Sequence, residues 1–216
     1  VVLKIKPSDS PNIKTKTIKE IVFEEPILTE QQLNFLVDIA EFYHTSLGFL
    51  LKGNLIPLQI RKLKKVASPK RSVPHPTNKP SKPLVFIHKN ETEKLDIILG
   101  KINDGQTLIL VPELTVITKL TALLPEKILN RAVTVTSELT NKELFAKWLQ
   151  TWSGEKDIVI GTRTALFFPW FNLTNIILTD EGNANYKSWD MAPRLHTRDA
   201  ALFLSRHHSA ELSLLS

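Results

Sequence analysis

The sequence predicts an α/β fold: a doubly wound parallel sheet over residues 84–216, preceded by a partial N-terminal unit (1–60) and a basic linker (61–83). Three observations predict it. From Pro83 onward, short apolar and β-branched runs alternate with helical patterns, as strands buried on both faces of a parallel sheet require. Residues 61–83 hold eight positive side chains and five prolines but no acid and no Phe, Trp or Tyr, a composition that suits neither helix nor central strand. Upstream, a capping box opens one clear amphipathic helix.

In chain order, VVLKIKPSD starts as an alternating strand and breaks at Pro7, and IKTKTIKEIVF reads weakly as a second extended stretch. Thr29 and Gln32 form the capping box; Leu33, Leu36, Val37, Ala40 and Tyr43 follow at helical spacing. A second short helix is expected over 46–52, ending at Gly53. The aromatic residues Phe35, Phe42, Tyr43 and Phe49 read as core at this spacing, with base stacking as the alternative. So short a unit buries little core alone, so it is expected to be an incomplete domain or to lean on a neighbour.

After the linker come five expected strands: LVFIH from Leu84, TLILV from Thr107, VTVTS near Val133, DIVIG near Ile158 and NIILT near Ile176. Helical patterns between them start at Glu91, run around 116–124, and start at Thr140, where Glu143 completes another capping box.

Charge and composition narrow the function classes. The chain has 216 residues and a net charge of +6, yet the linker alone contributes +8, so the remainder carries −2. A basic folded face is therefore not implied. Lys62, Lys64, Lys65, Lys70 and Arg71 of the linker are candidate phosphate contacts in nucleic acid, of the kind that weaken steeply with salt. Zero cysteines exclude a disulfide scaffold, a thiolate zinc site and a cysteine nucleophile. The histidines include no pair at metal-ligand spacing, and adjacent His207 and His208 are expected on a solvated surface. No apolar run approaches a bilayer span, so no membrane partner is expected and the chain reads as cytoplasmic. Its first residue is Val1 and its only methionine is Met191, so it reads as a piece of something longer.

In open α/β sheets ligands sit beyond the carboxyl ends of strands. That places Asp180 and Glu181, directly after NIILT, in view as a Mg²⁺-holding carboxylate and a water-activating one; a solvated loop start is the alternative.

The stretch IVIGTRTALFFPWFNLTNIILTDE, then NYK at 185–187 and PRLHTRD at 193–199, resembles the PriA family of primosomal, superfamily 2, 3′-to-5′ DNA helicases that restart stalled forks. VPELTVIT at 111–118 and WSGEKD at 152–157 are similar to neighbouring motifs of that family. EEPILTEQQLNFLVDIAEFYHTSLG is similar to the end of its small domain that recognises a 3′ DNA end. The resemblance implies a RecA-like helicase lobe over 84–216, preceded by a small partial DNA-binding domain. It implies Asp180 as the Mg²⁺-associated acid, Glu181 as the residue orienting water, and Thr162 and Arg163 on a single DNA strand. An ion pair is the alternative for Arg163. Pro112 and Glu113 are expected to shape their loop; Arg194, His196 and Arg198 fit the pattern without an assigned role.

The departures bear on ATP. The family's phosphate loop is Gly-rich and ends in Lys-Ser/Thr, so that backbone N–H groups and a lysine meet the phosphates. Here His88-Lys89-Asn90-Glu91-Thr92 contains no glycine, and the lysine position falls on Glu91. Lys89 and Thr92 are left as the cofactor-binding candidates. The family's Asp-Glu-Glu-His reads Asp180-Glu181-Gly182-Asn183. The family's second helicase lobe, winged-helix domain and cysteine-rich zinc module have no counterpart in these residues. Three readings follow: a PriA-like protein binding forked or single-stranded DNA, with primosome or restart proteins as possible partners, that has lost ATP hydrolysis; a fragment of an active ATP-dependent helicase; or a protein-interaction scaffold touching neither DNA nor nucleotide.

Overall fold

A computed structural model describes residues 27–54, 82–187 and 193–216. The extended stretches expected before Pro26, the linker and its Lys62, Lys64, Lys65, Lys70 and Arg71, and Met191 lie outside the described residues. The elements are α1 (Glu30–Phe42), α2 (Leu47–Asn54), β1 (Leu84–Phe86), α3 (Glu91–Lys101), β2 (Gln106–Leu110), α4 (Leu114–Leu123), α5 (Glu126–Leu129), β3 (Ala132–Val135), α6 (Asn141–Trp152), β4 (Ile158–Gly161), β5 (Leu173–Leu178), α7 (Thr197–His208) and β6 (Glu211–Leu215). Short 3₁₀ turns cover Arg163–Phe167 and Ala184–Tyr186.

Six parallel strands form one sheet in the order β1-β6-β5-β2-β4-β3. Their unbroken apolar runs serve two cores at once, because successive side chains point to opposite faces. Leu108, Leu110, Val159, Ile176 and Leu178 pack with α1, α2, α6 and α7 on one face. Ile109, Val111, Ile158, Ile160 and Ile177 pack with α3, α4 and α5 on the other. The all-parallel α/β architecture is as expected.

Two features differ from the sequence expectation. A sixth strand, β6, was not foreseen: Glu211-Leu212-Ser213-Leu214-Leu215 carries two polar residues and no β-branched one, yet it lies between β1 and β5 with Ser213 1% exposed. The second concerns His207 and His208. They are not on a solvated surface. His207 Nε2 lies 2.7 Å from Asp38 Oδ2 on α1, and burial beside His207 pushes His208 down to about 4.

Residues 27–54 lean on the lobe. Both capping boxes form as read, at Thr29–Gln32 and Thr140–Glu143. Phe35, Leu36, Ile39 and Leu50 are at most 3% exposed, inside the same core as the sheet. Among the four aromatic residues, Phe35 is core, whereas Phe42 (55% exposed) and Phe49 (48%) stand at the surface.

Candidate functional site

Two groups of side chains stand at the carboxyl ends of the strands. The first surrounds Asp180 and Glu181, which follow β5 directly. Asp180 adopts a left-handed backbone (φ 50°), a conformation that aspartate tolerates better than most residues. Its carboxylate meets Lys94, whose Nζ donates to Oδ1 at 2.9 Å and Oδ2 at 3.0 Å. Lys94 lies in the first turn of α3, and its side chain is 7% exposed. Glu91 adds a longer contact to the same ammonium at 3.8 Å. Glu181 is paired as well: Arg198 Nη1 donates to its Oε2 at 3.1 Å. Both expected acids are thus held by a cation of this chain.

Sequence reasoning missed Lys94. Counting forward from β1 put Glu91 at the lysine position, with Lys89 and Thr92 in reserve. The helix instead begins at Glu91, capped by Asn90, and carries a lysine one turn further in. Lys89 and Thr92 are both exposed and make no contact with Asp180. The signal was available in the helical spacing: Lys94 and Ile98, four apart, are the two fully buried positions of α3.

The connection from β1 to α3 contains no glycine. Three backbone donors there are engaged: Lys89 N–H with Glu93 Oε2 at 2.8 Å, Glu93 N–H with Asn90 Oδ1 at 2.9 Å, and Lys94 N–H with Asn90 O at 3.1 Å. Glu91 and Glu93 occupy the helix N-terminus, where a phosphate would otherwise be attracted.

The second group lines a cleft of about 400 Å³ beyond β2, β3 and β4. Five hydroxyl side chains face it, from Thr136, Ser137, Thr162, Thr164 and Thr197, together with Arg163, Glu113 and Glu138. Gly161 makes its floor possible. A Cβ there would stand 2.5 Å from the Val135 carbonyl oxygen, which accepts from Thr162 N–H at 3.2 Å. A bulkier residue would push Thr162 and Arg163 away from β3. The chain then enters the 3₁₀ turn with Arg163 as its first residue.

Arg163 is half-buried, and desolvation lowers its pKa. Among the described residues no carboxylate lies within ion-pair distance of its guanidinium, so the ion-pair alternative has no partner there. Glu113 takes hydrogen bonds from Thr115 Oγ1 at 2.5 Å and Asn185 Nδ2 at 3.3 Å, in keeping with a loop-shaping role. Tyr186 forms the back of the cleft; its hydroxyl lies 2.6 Å from the Thr179 and 2.9 Å from the Leu110 carbonyl oxygen, and burial pushes its pKa well above the ordinary value. The cleft therefore sets five hydroxyl side chains and one guanidinium without an ion-pair partner among the described residues beside two carboxylates, Glu113 and Glu138. Hydroxyl donors and a guanidinium are groups able to hydrogen-bond phosphodiester oxygens without reading bases. The structure does not join the two groups: Asp180 and Glu181 are absent from the lining of the cleft.

No helix among the described residues is long and apolar enough to cross a membrane, and no group of three or more His, Asp or Glu residues among them is placed to hold a metal.

Comparison with known proteins gives consistent matches. The 3′ DNA-binding domain (3′BD) of PriA matches residues 1–55. The replication restart protein PriA of Synechocystis sp. is 36% identical over 50% of this chain, and that of Buchnera aphidicola subsp. Acyrthosiphon pisum is 40% identical over 45%. The match to PriA of Rickettsia felis is 25% identical over 94% of the chain. The chain spans 13% of the length of the first two relatives and 34% of the third.

Proposed function

We propose that this PriA-like chain binds the backbone of single-stranded DNA in the hydroxyl-lined cleft and serves fork recognition in replication restart. The observation that carries the reading is Arg163. A desolvated guanidinium with no ion-pair partner among the described residues, in a cleft that it shares with five hydroxyl side chains and two carboxylates, is stabilised by an incoming phosphate. The match of residues 1–55 to a 3′ DNA-binding domain supports a second contact, with a DNA 3′ end. The linker lysines add a salt-sensitive term without sequence preference. Primosome or restart proteins are the proposed protein partners, and the cytoplasm the proposed location.

ATP hydrolysis is proposed to be lost. What supports this is the engagement of Asp180 by Lys94 and of Glu181 by Arg198, together with two glutamates at the N-terminus of α3. One observation favours the second reading, a fragment of an active helicase: Lys94 stands where a phosphate-binding lysine would be useful, close to an acid able to hold Mg²⁺. The readings diverge in titration calorimetry. An active-type site shows Mg-dependent ATP binding that disappears in Lys94→Ala; the lost-hydrolysis reading expects no such binding in either protein.

The DNA reading is tested by fluorescence anisotropy with a labelled fork bearing an exposed 3′ end, titrated at several salt concentrations. Arg163→Ala is expected to weaken binding uniformly across sequences and to reduce the log–log salt slope by about 1. Affinity that survives Arg163→Ala but collapses when the linker lysines are neutralised reduces the interaction to the linker. No binding at low salt favours the scaffold reading.

A further inference from the structure

α1 and its two caps contact the chain segments on either side of the cleft. Near its N-terminus, Gln32 Nε2 donates to the Phe168 carbonyl oxygen, Thr29 Oγ1 lies 3.4 Å from Trp170 O, and the Phe35 and Phe167 rings sit 6.0 Å apart. These contacts hold the segment that continues from Arg163. At its other end, the Tyr43 hydroxyl accepts a hydrogen bond from the backbone N–H of His196 at 2.9 Å. His196 is the N-cap of α7, and the next residue, Thr197, lines the cleft. The same N-cap pairs across an antiparallel bridge with Lys187, which follows the cleft residues Asn185 and Tyr186. Asp38–His207 and Phe42–Phe203 complete an antiparallel seam between α1 and α7.

Such a helix is poorly explained as a cover for apolar surface alone. Its polar contacts to backbone end on two segments next to the cleft, the one that follows the Arg163 turn and the one that leads into Thr197. We infer that α1 is a strap across the back of the cleft and that Tyr43 is a positioning residue for strand binding. Through it, the segment matched by the 3′ DNA-binding domain adjusts the affinity of the lobe. The inference rests on the reading of the cleft as a DNA-backbone site. Tyr43 touches no DNA in this scheme; it acts through the His196–Thr197 backbone.

The test uses the full chain and a labelled oligothymidylate. Tyr43→Phe removes only the accepting hydroxyl. It is expected to weaken binding about five-fold, the worth of one neutral hydrogen bond, with the melting temperature little changed. The decisive readout is the cycle with Arg163→Ala: if Tyr43 acts through the cleft, its effect shrinks or vanishes when Arg163 is absent. Wild-type affinity in Tyr43→Phe, or an equal loss in both backgrounds, overturns the inference while leaving the cleft reading in place. Binding that is insensitive to Arg163→Ala removes the cleft reading and this inference with it. Should Tyr43→Phe melt early, Gln32→Met at the Phe168 contact decides by the same comparison.

Discussion

Lys94 and Asp180 are each other's main electrostatic partner, and they differ in what breaking the pair would leave behind. Lys94 is nearly enclosed, with its side chain 7% exposed, whereas Asp180 is 33% exposed and reaches water. Removing the acid strands a buried cation; removing the cation leaves an acid that solvent can serve. Asp180→Asn is therefore expected to lower unfolding stability by roughly 1–3 kcal/mol, less than for a fully buried pair, and Lys94→Met to cost less. Urea denaturation of both variants checks the order. If Lys94→Met is the more damaging, the burial argument is wrong. The pair also marks how far residue-level reading went. Asp180 and Glu181 were legible because they end an apolar strand. Their neutralisation was not, because Lys94 and Arg198 reach them from separate helices.

At the scale of elements, α7 combines a function-facing start with a buried end. His208, at its last turn, has a buried Nε2 without a partner among the described residues, and it is held neutral by desolvation and by adjacent His207. Its folded pKa of about 4 lies below the ordinary 6.5. Above pH 6.5 both folded and unfolded states leave it neutral, and its contribution is constant. Between about 6.5 and 4 the unfolded chain takes up the proton and the fold does not, so stability falls as pH falls. Below 4 the loss levels off. At pH 5 this amounts to about 2 kcal/mol. Denaturation at pH 7 and pH 5 should show that increment in the wild type and a smaller drop in His208→Gln; equal drops in both would assign the pH dependence to other groups. The strands teach a complementary lesson. β1 to β5 were legible from continuous apolar runs. β6 was not, because Ser213 and Glu211 break its run, and its strand state depends on being hydrogen-bonded on both sides by β1 and β5.

For the whole molecule, the described N-terminal segment and the lobe share one core. Phe35, Leu36, Ile39 and Leu50 are large side chains buried against the sheet face, each worth about 2 kcal/mol of apolar burial. A fragment beginning at residue 82 is expected to expose that face, bind a hydrophobic dye and self-associate in sedimentation; a monomeric fragment with the full chain's melting temperature would falsify the shared-core argument. The sequence by itself determined the strand–helix alternation, both capping boxes, the strand-end acids and the resemblance to PriA. All of these depend on residues within a few positions of one another, where periodicity and spacing are physically dictated. The tertiary structure alone decided that α1 straps the lobe, that Arg163 faces a cleft with no acid bound to it, and that Lys94 holds Asp180. Those outcomes join residues 136 positions apart at Gln32–Phe168 and 86 apart at Lys94–Asp180. At such separations no local pattern specifies the partner, and only the packing of the finished sheet brings the two groups within reach.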